Sequence, residues 1–415
     1  MSFVLNHRVK ESKLNSQKGE DEANQSGYGR RLYAILYENK ILEGLANKMS
    51  PNTHINKNSP YSVLLIAEEG VVNTNLVDVL TKTQDIELVA NTTNGVDGVS
   101  AARKRHIDVF IIDIGMRNED PLVTLKRILR IDEHAKIVMA STLSFNNVRR
   151  SMKGFERGAA ELINTPASFT QKKSALEFKS ETLRIVRSLG DARRQDSPRS
   201  APEPLVSRAT APAPKDITLR RASSMRPKVL AIGSSTGGPQ ALLAVIEGLP
   251  KNIPVPVFVT QHMPKTFTAA LAASISKSTG KTVVEGKDEM QALPGTIYIA
   301  PGDFHMTIGG SSTTPVISLN QEPKVNFCRP SADPMIESIV NLYGGNTLLT
   351  ILTGMGADGK KGAELVVEAK GTVIAQDFET SVVWGMPGAV AMAGLCSQVL
   401  PIGNIPMAIN KLINP

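Results

Sequence analysis

From residue 60 onward, short runs of Val, Leu, Ile, Phe and Ala alternate with longer amphipathic stretches, first over 60–187 and again over 227–415. In the first region SVLLIAE, IELVANTT, VFIIDI, KIVMAS and ELINT read as strands. LVDVLTKT, GVSAARKR, VTLKRILRI and VRRSMKGFERGA read as the helices between them, and SALEFKSETLRIVRSL as a closing helix. Apolar runs this short and continuous, each followed by a helical period, predict parallel strands covered on both faces. The second region repeats the pattern, with VLAIGS, PVFVTQ, TIYIAP, LLTILTG and TVIAQD as strands. ALLAVIEGL, FTAALAASISK, ADPMIESIVNLYG, GKKGAELVVEA and PGAVAMAGL read as its helices. The predicted fold class is α/β, with two doubly wound parallel-sheet domains.

Two segments break the pattern. Residues 1–58 are rich in Asn, Ser, Lys and Gln and read as a disordered extension, with an amphipathic stretch at RRLYAILYENKILEGLANKM. Residues 188–226 carry Pro198, Pro202, Pro204, Pro212 and Pro214 among Ser, Ala and Arg, which predicts a linker. A chain of 415 residues suits two such domains. Its 2 cysteines allow no disulfide framework and point to a reducing, cytoplasmic setting. The charge of +8 is diffuse. Without aromatic-interleaved basic modules or zinc spacing, it argues against nucleic acid as a partner. No apolar run approaches the ~18 residues of a membrane span, so a membrane-inserted protein is not expected.

The candidate chemistry follows three strands. Gly233-Ser234-Ser235-Thr236-Gly237-Gly238, Gln261-His262-Met263 and Gly354-Met355-Gly356-Ala357-Asp358-Gly359 each come directly after an apolar run. A parallel sheet brings Ser235, His262 and Asp358 to its carboxyl edge, as nucleophile, base and orienting carboxylate. Backbone N–H groups around Thr236 and Met355 are the candidate oxyanion donors. Other readings compete. The 233–238 loop has phosphate-loop spacing, but Pro239-Gln240 stand where Lys and Ser/Thr are needed. The 354–359 segment fits G-x-G-x-x-G with Asp377 in ribose-binding register, against which Asp358 places a carboxylate in the anion loop. His305 reads as a substrate-orienting or backbone-satisfied residue, and Cys328 as a packing or loop residue.

IGSSTGGPQAL, VTQHMP, IYIAPGDFHM, LTGMGADGKKGA and IAQDFETSVVWGMPGAV together resemble the catalytic domain of the chemotaxis protein-glutamate methylesterases over nearly all of 227–415. The preceding βα domain resembles the receiver domain of that family, of flavodoxin-like fold beside a Rossmann-like esterase. The resemblance implies hydrolysis of γ-glutamyl methyl esters on the cytoplasmic helices of methyl-accepting chemoreceptors, with deamidation of receptor glutamines in some members. It assigns Ser235, His262 and Asp358 to the triad and Met355 N–H to the oxyanion, with no cofactor for hydrolysis. A chemotaxis histidine kinase is the implied second partner, and Mg²⁺ the implied ion of receiver phosphorylation.

The receiver half departs from its pattern. Asp113 matches the phosphoacceptor and Ser141 the switch hydroxyl. The acidic pair reads Ala67-Glu68, and Thr165 stands in place of the lysine. One carboxylate is missing, another is longer, and the phosphoryl oxygens lose a fixed cation. The expectation is weak or absent phosphorylation of Asp113 and a domain that acts as lid or docking module. The competing reading has Glu68 and Glu69 suffice for metal. A dinucleotide-binding enzyme and a non-catalytic adaptor are the rival classes.

Overall fold

In the first domain, five parallel strands lie in the order β2-β1-β3-β4-β5. They are β1 Tyr61–Ile66, β2 Ile86–Thr92, β3 Val109–Asp113, β4 Ile137–Ser141 and β5 Glu161–Asn164. Helices α1 Val71–Thr81, α2 Gly95–Ala102, α3 Pro121–Ile131 and α4 Phe145–Glu156 connect them, and α5 Lys172–Asp196 follows. These come from a computed structural model that describes residues 59–168, 172–196 and 217–414. The expected extension to residue 58 lies outside the described residues, as do positions 197–216 of the expected linker. β3 and β4 are buried at every position, which is why their sequences run apolar without alternation. Local signals set the helix starts: Asp120 accepts from Leu122 N ahead of Pro121, and Ser144 accepts from Asn147 N at the head of α4.

α5 continues past the expected boundary at 187. Its arginines are ion-paired to the domain: Arg187 to Asp85, Arg193 to Asp132 (both 2.7 Å) and Arg194 to Asp108 (2.9 Å). These arginines tie the end of the helix to the domain surface.

The second domain carries seven parallel strands in the order β14-β13-β12-β6-β7-β9-β8. They are β6 Val229–Ser234, β7 Val257–Gln261, β8 Thr282–Glu285, β9 Thr296–Ile299, β12 Thr347–Ile351, β13 Thr372–Gln376 and β14 Gln398–Leu400. An antiparallel hairpin, β10 His305–Gly310 with β11 Pro315–Asn320, stands apart from the sheet. The helices are α6 Gly238–Gly248, α7 Lys265–Thr279, α8 Ala332–Tyr343, α9 Lys360–Glu368, α10 Met386–Met392 and α11 Ile405–Ile413. The strands absent from the sequence reading are β8, β10, β11 and β14. All are edge or hairpin strands with partly exposed positions, so no buried apolar run announces them.

The order places β12, β6 and β7 side by side, with β6 at the point where connections switch direction. Open α/β sheets form their crevice there. The two domains belong to one compact unit. Met152 and Phe155 of α4 join the same apolar cluster as Leu242 of α6 and Leu271 of α7. Burying a side chain the size of Phe155 is worth roughly 1.5–3 kcal/mol, so this face is a real interface.

Candidate active site

Ser235 follows β6, His262 follows β7 and Asp358 lies in the loop after β12, so three adjacent strands deliver them to one edge. Register sets their neighbourhood, because Ser234 pairs with Gln261 and His262 N donates to Ser234 O (3.2 Å). Ser235 N donates to Thr353 O (3.0 Å), while Gly238 N (2.7 Å) and Gln261 Nε2 (3.0 Å) donate to Ser235 O. Gly354 must be glycine here, since a Cβ on it would meet Ser235 Cβ at 2.8 Å. Gly237 takes φ +76 at the cap of α6, where Pro239 occupies the first turn as expected. The Thr236 and Met355 N–H groups donate to no other group among the described residues.

Asp358 is 2 % exposed and fully engaged. Its Oδ2 accepts from His262 Nε2 (2.7 Å) and Ala332 N (2.6 Å). Its Oδ1 accepts from Ser331 Oγ (2.6 Å), Asn326 Nδ2 (2.8 Å) and Asp333 N (3.3 Å). The N-terminus of α8 thus points two N–H groups at a buried anion, as its dipole favours. Burial opposes ionisation of Asp358, but the His262 bond and charge and these donors outweigh it and hold it well below the carboxylate range. Burial likewise opposes the charged imidazole, yet Asp358 on one side and Cys328 on the other push His262 up to about 10.

The predicted trio is brought together in part. His262 and Asp358 form a dyad, and Ser235 lies beside them at 3 % exposure. No hydrogen bond joins Ser235 Oγ to the ring among the described residues. His262 Nδ1 faces Cys328 Sγ at 3.4 Å instead. Cys328 does lie in a loop, but it touches the base, a role that no neighbouring residue in the sequence signals. His305 is the backbone-satisfied residue: Nε2 meets Pro323 O (3.1 Å) and Ser331 N donates to Nδ1 (3.3 Å). Asp377 closes its own turn, accepting from Thr380 N (3.0 Å) and Oγ1 (2.6 Å), which removes it from a ribose-binding role. Gln261, Asn326 and Ser331 were missed. Ser331 precedes α8 where a hydroxyl normally caps the helix, but here it donates to Asp358.

Residues 230–409 match the CheB methylesterase family, and 63–177 match the response regulator receiver domain. The chain is 42 % identical to a protein-glutamate methylesterase/protein-glutamine glutaminase of Azospirillum brasilense over 85 % of its own length and 92 % of the relative's. It is 41 % identical to one from Paramagnetospirillum magneticum over 84 % and 95 %. The chain belongs to the protein-glutamate methylesterase family. The crystal structure of the Thermotoga maritima CheB methylesterase catalytic domain is 44 % identical, covering 45 % of this chain and 98 % of that one at a TM-score of 0.44.

In this methylesterase the receiver domain contacts the loops that carry the chemistry. Thr236 Oγ1 donates to Glu161 Oε2 (2.7 Å), Gly237 N to Ala160 O (2.9 Å) and Gln240 Nε2 to Ala159 O (2.6 Å). Arg184 Nη1 of α5 meets Met355 Sδ at 3.1 Å. Both residues expected to bind the oxyanion are therefore gripped by the first domain. Glu161 is pushed up by burial despite its bond to Thr236.

Asp113 ends β3 and is buried, with Oδ1 accepting from Gly115 N (2.7 Å). Burial pushes its carboxyl up, Glu68 adding repulsion. Glu68 Oε1 is taken by Arg117 N and Asn118 N, both at 2.7 Å. Ser141 Oγ and Thr165 Oγ1 are buried without partners. Among the described residues no group of three or more His, Cys, Asp or Glu side chains is placed to hold a metal ion. With Ala67 offering no oxygen and Glu68 engaged, these residues do not fit Mg²⁺.

Proposed function

We propose that the chain hydrolyses γ-glutamyl methyl esters on the cytoplasmic helices of chemoreceptors, releasing methanol, and deamidates receptor glutamines at the same site. Ser235 Oγ attacks the ester carbonyl and His262 takes its proton on Nδ1, since Nε2–H is committed to Asp358. The tetrahedral oxyanion is bound by the N–H groups of Thr236 and Met355. Methanol leaves with the proton from His262, giving a glutamyl ester on Ser235. Water then attacks with His262 as base, and the proton returns to Ser235. For an amide substrate the leaving group is ammonia. The observation that carries the reading is the 2.7 Å His262–Asp358 bond, on strand ends that flank the Ser235 strand. An adaptor has no use for a buried carboxylate holding a histidine in this way.

The receiver domain is the lid of this site, through its contacts to Thr236, Gly237 and Arg184–Met355. With no fitting metal set and threonine in place of the lysine, Asp113 is a poor phosphoacceptor for a histidine kinase. The lid is then displaced by receptor docking. The setting is the cytoplasm, where the receptor helices lie; among the described residues no helix is long and apolar enough to cross a membrane. The test is methanol release from methylated receptor membranes by the full chain and by Ser235→Ala. Release by the wild type alone supports the reading, and equal release by both overturns it.

A further inference from the structure

The reacting nitrogen of His262 is already in use. Asp358 holds Nε2, and the remaining nitrogen, Nδ1, lies 3.4 Å from Cys328 Sγ rather than against Ser235. A tight turn delivers the sulfur: Val325 N donates to Cys328 O (3.1 Å) and Cys328 N to Val325 O (2.9 Å). Between them Asn326 and Phe327 take φ of 52 and 64, a left-handed conformation that side chains other than glycine rarely adopt. The same turn sets Asn326 Nδ2 on Asp358 Oδ1 and on Asp333 Oδ2, each at 2.8 Å. A four-residue turn with two residues in a disfavoured backbone thus holds both members of the dyad, while Phe327 is 96 % exposed.

We propose that Cys328 is a positioning residue of the esterase: it holds the imidazole by Nδ1 at rest, and Ser235 displaces it before the base acts. The inference rests on the hydrolytic reading of Ser235, His262 and Asp358. A carboxylate only accepts, so Nε2 carries hydrogen in either charge state of the ring. When the ring is charged, Nδ1–H also donates, and the sulfur lone pairs accept it. The sulfur therefore favours the charged, parked ring. This agrees with the upward displacement of His262, to which Cys328 contributes after Asp358. The titratable groups facing the ring are Asp358 from the β12 loop and Cys328 from the turn, with Asp333 of α8 behind Asp358.

The test is an NMR titration of His262 in the full chain, assigned with His262→Gln, for wild type, Cys328→Ala and Cys328→Ser. It is paired with the pH profile of methanol release. The alanine variant is expected to titrate lower by about one pH unit, equivalent to about 1.4 kcal/mol. The serine variant, whose hydroxyl also accepts, is expected to fall between alanine and wild type. The acid limb of kcat/KM moves with the titration, and KM for receptor stays unchanged. If Cys328→Ala does not fold, the shift in Cys328→Ser alone decides. An unchanged His262 midpoint in folded variants overturns the proposal, as does an equal shift for alanine and serine. Failure of the hydrolytic reading shows separately, as absence of Ser235-dependent methanol release, because the titration needs no turnover.

Discussion

The two domains place a carboxylate at the same kind of position, the carboxyl edge of a parallel sheet, and furnish it in opposite ways. Asp358 is met by a histidine and four further donors, and remains ionised although buried. Asp113 is met by one backbone N–H, is pushed toward its neutral form, and has unpartnered hydroxyls on the strand ends beside it. Burial alone therefore does not make a reactive carboxylate; the groups that compensate it do. Asp358 has that compensation, and Asp113 has one backbone donor in its place.

Asp358→Asn bears most strongly on this contrast. It removes the acceptor that fixes Nε2–H while keeping the shape, and a loss of about 10³–10⁴-fold in kcat for methanol release is expected. A change under about tenfold would place Asp358 on the structural side with Asp113. Next comes pH. His262 loses its proton only near 10, so hydrolysis by the full chain should climb by about tenfold per pH unit below that value. Because the shift is upward, the acid limb moves to higher pH; a limb near the ordinary histidine value of about 6.5 contradicts the dyad's electrostatics.

Freeing the site from the first domain is a smaller effect. Deleting residues 1–216 removes the bonds to Thr236, Gly237, Gln240 and Met355, and leaves a domain with its own core on both sheet faces. Methanol release per mole should rise by on the order of tenfold, in line with several hydrogen bonds of about 1 kcal/mol each. A fragment no faster than the full chain removes the lid from the account. The smallest effect is at Asp113. Asp113→Asn, and wild type given a small phosphodonor with Mg²⁺, should both match the methanol release of untreated wild type within about twofold. Stable phosphorylation that the substitution abolishes would show that the receiver site works.

The two parallel-sheet domains, the turn at Gly237–Pro239 and the places of Ser235, His262 and Asp358 just beyond strand ends were legible because each rests on a local pattern. Apolar runs set the strands, and small residues at their ends set the crevice. What stayed hidden depends on long-range approach. The Val325–Cys328 turn reaches the dyad across 66 positions of sequence from Cys328 to His262, and its left-handed residues are Asn and Phe rather than glycine. Glu161 reads as an ordinary first residue of a strand until the second domain brings Thr236 against it. The departures at Ala67 and Thr165 were visible at once, but that Glu68 is spent on two backbone N–H groups was not.

Acyl transfer through Ser235 passes through a covalent intermediate that can be trapped. The chain would be mixed with a methylated receptor, quenched in acid within the first turnover, and the peptide bearing Ser235 weighed by mass spectrometry. A glutamyl ester on Ser235, formed with release of methanol and absent from Ser235→Ala, is expected. Methanol released at the same rate by Ser235→Ala, with no adduct on the wild-type peptide, would contradict it.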